Sequence, residues 1–212
     1  MTDSIFRTEA DDPMLVPADA ARELLDGAPW RRFAVIGDSV ALGVGDPSPG
    51  YLTSGWSDRV AAVLRSVNPE LAYLNTGRVG ATIGEVIAEQ LGPALDFRPD
   101  LIHVTCGGND LFARGGPEEI RKDLDALFAA LSRSGAQIFT FILADVWETE
   151  RMAPMRPLRD RMAELNDIRA RDGPTLRHRG RGVLGSPVTA ASGSDERGPD
   201  PLHVERARGG GR

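Results

Sequence analysis

The chain has 212 residues, 41% of them apolar and 26% charged, with a net charge of −6. That length holds one α/β domain with a real core, and the composition is that of an ordinary water-soluble globular protein. Net acidity, with no basic face or Lys/Arg run before the tail, argues against nucleic acid as a partner. No apolar run reaches membrane length and the first residues have no apolar h-region, so the expectation is a cytoplasmic protein without a membrane span. A single cysteine, Cys106, excludes an intrachain disulfide, and its apolar setting reads as a small buried hydrophobe.

Residues 1–30 read as a loop and a short helix packed on the edge of the domain. A buried strand is expected over 33–37, stopping at the turn Gly37-Asp38-Ser39. In 55–68, Trp56, Val60, Val63, Leu64 and Val67 recur at helical spacing. A strand over 71–75 leads to a polar cluster, Asn75 to Thr82. The helix expected over 82–95 opens with Thr82 and Glu85, a capping-box pair. The strand expected over 100–106 ends at Gly107-Gly108-Asn109-Asp110. Pro117 then starts a helix over 117–134 with the stripe Ile120, Leu124, Leu127, Phe128 and Leu131. A fourth strand over 137–143 and a helix over 153–168, striped by Met155, Leu158, Met162, Leu165 and Ile168, complete the alternation. Strands alternating with helices through short links imply a parallel sheet covered on both faces, with its ligand site outside the strands' carboxyl ends.

Three polar clusters at three such ends face one crevice. A serine hydroxyl is a weak nucleophile until a base takes its proton and donors hold the oxyanion that forms. Ser39 supplies the hydroxyl; the N–H groups of Ser39 and Gly80 and the Asn109 side-chain amide supply the donors. As a lone Gly-Asp-Ser, the first cluster would be read as a turn or N-cap. Gly77 reads as a turn glycine, Asp38 and Asp110 as structural hydrogen-bonders, and Arg78 as a solvated charge. His103, inside a strand pattern, reads as a core histidine rather than a base.

Taken in order, Gly-Asp-Ser, Gly80 before Ala-Thr, and Gly107-Gly108-Asn109-Asp110 resemble the SGNH/GDSL hydrolases over about residues 30–168. The resemblance implies a three-layer α/β/α flavodoxin-like fold and a serine esterase or lipase acting on a small-molecule, lipid or acylated-sugar ester, with no metal or cofactor. It implies Ser39 as nucleophile, with Ser39, Gly80 and Asn109 as oxyanion donors. It also implies a late Asp-x-x-His block whose histidine is the base. Asp200-Pro201-Leu202-His203 satisfies that spacing, so Asp200 and His203 are the expected pair; His178 has no aspartate at useful spacing. A nucleotide-binding module using Gly43-Val44-Gly45 as a phosphate loop is an alternative from another class, weakened by the missing further glycine or Lys-Ser/Thr.

The expected organisation is thus 1–30 as an N-terminal segment, 31–168 as the hydrolase-like domain and 169–212 as an irregular tail. The tail holds nine Arg, nine Gly and four Pro, with no aromatic residue and no helical period, where this fold needs a fifth strand and a closing helix. With one lysine, Lys122, in the whole chain, the gene reads as GC-rich, and wrong-frame translation of such a gene is rich in Arg, Gly, Ala and Pro. Read from the second base of each codon, Gly198 to Arg212 can encode D-L-I-H-F followed by a helix start. A one-base shift between about Ile168 and Leu176 would account for this, leaving the sheet incomplete at its C-terminal end. The second expectation is therefore a catalytically dead product without a working base.

Overall fold

A computed structural model describes residues 8–45, 47–112, 116–143 and 150–172. Four strands, β1 (Arg32–Gly37), β2 (Ala72–Asn75), β3 (Leu101–Thr105) and β4 (Gln137–Phe139), form one sheet in the order β2-β1-β3-β4. All pairings are parallel, with Val35 opposite Asn75, Gly37 opposite Thr105 and Ile102 opposite Ile138. The central strands are buried almost throughout and mostly apolar because both of their faces are covered. Their period of two divides the core: Ala34, Ile36, Ile102 and Val104 join one cluster, Phe33, Val35 and Leu101 the other.

The first cluster is closed by α4 (Ile83–Glu85), α5 (Leu91–Asp96), α6 (Pro117–Ser132) and α7 (Arg159–Asp172). The second is closed by α3 (Trp56–Val67), beside which α1 (Ala18–Leu24) packs. The result is the expected three-layer α/β/α arrangement. All five residues of the α6 stripe are buried, and Pro117 occupies the first turn, where its missing N–H costs nothing. In α7, Met162, Leu165 and Ile168 are buried.

Three elements depart from the sequence reading, each for a local reason. β4 stops at Phe139 instead of running to 143. There the backbone turns to side chains of α7: Asn166 accepts from Leu143 N (2.9 Å) and donates to its carbonyl (2.8 Å), and Arg169 donates to the Phe141 carbonyl (3.3 Å). The helix expected over 82–95 contains a wide π turn, Val86–Gln90, just ahead of Pro93, which has no N–H to close the regular bond to Glu89. The helix expected from 153 begins as a 3₁₀ stretch, Glu150–Leu158, containing Pro154 and Pro157, and becomes α-helical only at Arg159. It then continues to Asp172. The fifth strand and closing helix of the sequence argument would fall beyond residue 172, outside the described residues.

Leu124 is fully buried at the centre of α6. Leu124→Ala is expected to lower unfolding free energy by about 2–5 kcal/mol in a urea titration, from lost apolar transfer plus the cavity left behind.

Candidate active site

The nucleophile candidate is placed by the way β1 ends. Gly37 has φ +137°, and a Cβ on it would lie 1.9 Å from the Thr105 carbonyl oxygen, so only glycine lets the two strand ends close up. The next amide, Asp38 N–H, donates to that same Thr105 oxygen (2.9 Å). The Asp38 carboxylate then accepts from Val40 N–H (2.9 Å) as the N-cap of a single helical turn, α2 (Ser39–Leu42). Ser39 is therefore the first residue of a helix standing on the carboxyl end of a central strand. It is half-buried.

A second support reaches Gly37 from the π turn. Gln90, 3% exposed, accepts from Gly37 N–H (2.7 Å) and donates to the Gly37 carbonyl (2.9 Å), so one amide satisfies both main-chain polar groups of that residue. No motif announces Gln90. Its only signal is a polar residue at a position where the helix otherwise buries apolar ones.

The loop after β2 is tied to both of these parts. Asn75 accepts from Gly77 N–H (2.8 Å) and donates to the Ala41 carbonyl (3.0 Å), and Arg78 N–H donates to the Gly37 carbonyl (3.0 Å). Gly77 is more than a turn residue: a Cβ there would lie 2.5 Å from Leu42 N, so its absence lets the loop lie on α2. Gly80 follows, exposed and with φ +79°. The Glu85 carboxylate straddles it. It accepts from Thr82 N–H (2.8 Å) and Thr82 Oγ1 (2.9 Å) and pairs with Arg78 (3.0 Å), which also meets Glu89 (3.4 Å). Arg78 is thus exposed but ion-paired. The Thr82 amide, the Arg78 guanidinium and the Thr82 hydroxyl hold the Glu85 carboxyl down to about 2.

The third segment closes the group. Asn109 begins a 3₁₀ turn, Asn109–Phe112, and its side-chain amide donates to the Ala81 carbonyl (2.9 Å), next to Gly80. Asp110 accepts from Ile83 N–H (3.2 and 3.3 Å) at the start of α4. Burial pushes the carboxyls of Asp38 and Asp110 up, against the amides that hold them down. Both are hydrogen-bonded supports, as expected. Ser39, Gly80 and Asn109 thus lie on three segments bonded to one another at one sheet edge.

Other candidates fall elsewhere. His103 is fully buried among Trp56, Phe139 and Phe141, with Nε2 on Thr105 Oγ1 and Nδ1 without a partner. Burial, then the Arg169 charge, drives it down to about 3, so it is neutral at ordinary pH and sits in the core. Burial pushes the Cys106 thiol up to about 12, consistent with an inert core residue. Gly43 is the left-handed C-cap of α2 (φ +87°), the partly negative end of a helix and the wrong end for a phosphate loop. Asp200, His203 and His178 lie outside the described residues. Among the described residues there is no group of three His, Cys, Asp or Glu able to hold a metal. No helix among them is long and apolar enough to cross a membrane.

A parallel sheet with helices on both faces, carrying a serine at the end of a central strand and two polar loops beside it, defines a three-layer α/β/α protein with a candidate site at the strands' carboxyl ends. The sequence profile of the GDSL-like Lipase/Acylhydrolase family matches residues 35–173, and the chain belongs to that family, whose members hydrolyse ester bonds. Among solved structures it resembles Axe2, an acetylxylan esterase from Geobacillus stearothermophilus, at 20% identity over 69% of this chain and 74% of that one, with a TM-score of 0.50. It also resembles the acetyl xylan esterase AlAXEase, at 14% identity over 66% of this chain and 73% of the other, TM-score 0.50. No match was found among curated protein sequences.

The Glu85 bracket has a pH signature. Because its folded pKa is lowered from 4.5 to about 2, its stabilisation is complete above about 4.5 and is lost as pH falls towards 2. Glu85→Gln should be less stable than the parent at pH 6, and the difference should shrink between pH 4.5 and 2 in thermal melts. A difference independent of pH would mean that the carboxylate is not bracketed this way.

Proposed function

We propose that this chain is a serine esterase that cleaves carboxylic esters of a small molecule, a lipid or an acylated sugar through an acyl-enzyme on Ser39. The observation that carries the reading is the position of Ser39. It opens α2 on the carboxyl end of β1, beside the two loops that bear Gly80 and Asn109. A serine variant of Axe2 is described as a catalytic mutant, and the acetylated saccharides named for these structural relatives make acetyl esters the first substrates to try.

In this reading the base removes the Ser39 proton as Oγ bonds to the ester carbonyl carbon. The carbonyl oxygen becomes an oxyanion held by Ser39 N–H, Gly80 N–H and the Asn109 amide. N–H groups in the first turn of a helix have no intrahelical partner, which leaves Ser39 N–H for this use. One Asn109 amide hydrogen is committed to Ala81, fixing the plane, and the other serves the oxyanion. The tetrahedral species collapses, the C–O bond to the alcohol breaks and the base returns its proton to the alkoxide. Water, deprotonated by the same base, then hydrolyses the acyl-enzyme. His203, oriented by Asp200, is the proposed base.

The alternative is a family member without a working base. It is supported by the family match ending at 173, inside the window inferred for a frameshift and well before Asp200 and His203. One set of variants separates the two. Ser39→Ala should lower p-nitrophenyl acetate turnover by at least about 1000-fold, and Asn109→Ala by about 10²–10³-fold. Loss of turnover in His203→Ala supports the Asp200–His203 pair. Turnover equal to the parent in Ser39→Ala removes the serine reading, and a parent without Ser39-dependent turnover supports the dead product. Sequencing the gene across Leu165 to beyond Arg212 shows whether the frame is intact.

A further inference from the structure

α7 carries a buried cation bonded to the strand end that leads into the Asn109 turn. Arg169 is 2% exposed, yet no carboxylate of the described residues lies within ion-pair distance of it. Its guanidinium donates instead to two main-chain oxygens, the Cys106 carbonyl and the Phe141 carbonyl (3.3 Å). Cys106 immediately precedes the Gly107-Gly108-Asn109 turn, and Phe141 follows the end of β4. One side chain therefore bridges the carboxyl ends of two neighbouring strands.

A mechanical tie does not require a charge. Asn166, three residues earlier on α7, ties the same helix to Leu143 with neutral groups at 2.9 and 2.8 Å. Burying a guanidinium without a bonded counter-ion is costly, so a cation here needs another account. The titratable groups that feel it are Asp38, beside Ser39; Asp110, beside Asn109; Cys106; and His103. Burial lowers the Arg169 pKa, and Cys106, Asp38 and Asp110 oppose that.

We infer that Arg169 is a positioning residue for the ester chemistry proposed above. It fixes the Cys106 end of the turn that presents Asn109, and it keeps a positive charge at that strand end. The inference rests on Ser39 being the nucleophile. It predicts an effect on the charged, tetrahedral stage of the reaction more than on binding of the neutral ester.

The test uses the full chain with Arg169→Met, Arg169→Lys and, as a neutral-tie comparator, Asn166→Ala. Three quantities are read: kcat and KM on p-nitrophenyl acetate, affinity for phenylboronic acid, which forms an anionic tetrahedral adduct on an active serine, and melting temperature. Arg169→Met should lower kcat on the order of 10- to 100-fold, the scale of a misplaced catalytic group, with a parallel loss of boronate affinity and little change in KM. Arg169→Lys should fall between, because it keeps the charge and loses the two-pronged fork. Asn166→Ala should lower the melting temperature without changing boronate affinity. Parent-like kcat and boronate affinity in Arg169→Met overturn the assignment, as does an identical profile for Arg169→Met and Asn166→Ala. If Arg169→Met does not fold, Arg169→Lys decides: reduced boronate affinity supports the role and parent-like affinity overturns it. Turnover that survives Ser39→Ala, or a parent with neither turnover nor boronate binding, overturns the esterase reading and this inference with it.

Discussion

The peptide of Gly37 is the point on which the candidate site depends. Its α-carbon lies so close to the Thr105 carbonyl that no side chain fits, its N–H is taken by Gln90, and its carbonyl accepts from both Gln90 and Arg78. A β-strand that simply ended here would leave those groups bare inside the protein, at a cost on the order of 1–3 kcal/mol each. Satisfying them fixes the direction in which the chain leaves the sheet. The one-turn helix that carries Ser39 inherits that direction through Asp38.

The supports around this peptide are mostly neutral or locally paired. Asn75, Gln90 and Asn109 each use a planar amide to join a side chain to another segment's backbone, which sets geometry without adding net charge to the crevice. The exposed charges near the Gly80 turn are paired locally, one Arg78 guanidinium meeting both Glu85 and Glu89. Arg169 stands apart as a buried charge whose partners among the described residues are main-chain carbonyls. On the esterase reading proposed above, neutral amide donors would meet the oxyanion while a fixed cation holds the strand end that leads into the Asn109 turn, and groups fixed in advance stabilise developing charge without reorganising at the moment of reaction.

Much of this was legible in the sequence because the signals were local. The strand ends at Gly37-Asp38-Ser39, the capping box of Thr82 and Glu85, and the α6 stripe each depend on residues within one or two turns of one another. What escaped was tertiary. Nothing near Gln90 reveals that its partner is Gly37, 53 positions away, and nothing near Arg169 points to Cys106, 63 positions away. The overlong fourth strand came from the same blindness: Phe141 and Leu143 are apolar enough for a sheet, but side chains of α7 claim their backbone groups. Pro93, Pro154 and Pro157 were visible throughout and could have marked the π turn and the late start of α7. Gly77 shows that a glycine in a turn can be there for the neighbour it admits rather than for its own torsion angles.

The π turn makes helix phase a functional quantity. A regular α-helix rotates about 100° per residue, and the extra residue accommodated between Val86 and Gln90 shifts everything after it by that amount relative to the capping box. Gln90, the last residue of the π turn, meets the Gly37 backbone in this shifted phase. A one-residue deletion within this turn would yield a more regular helix and a better backbone by local criteria, yet it would swing the amide away from the strand end it serves. This segment should therefore tolerate substitution far more readily than a change in length, and an irregularity that looks like a folding defect keeps the platform of Ser39 in register.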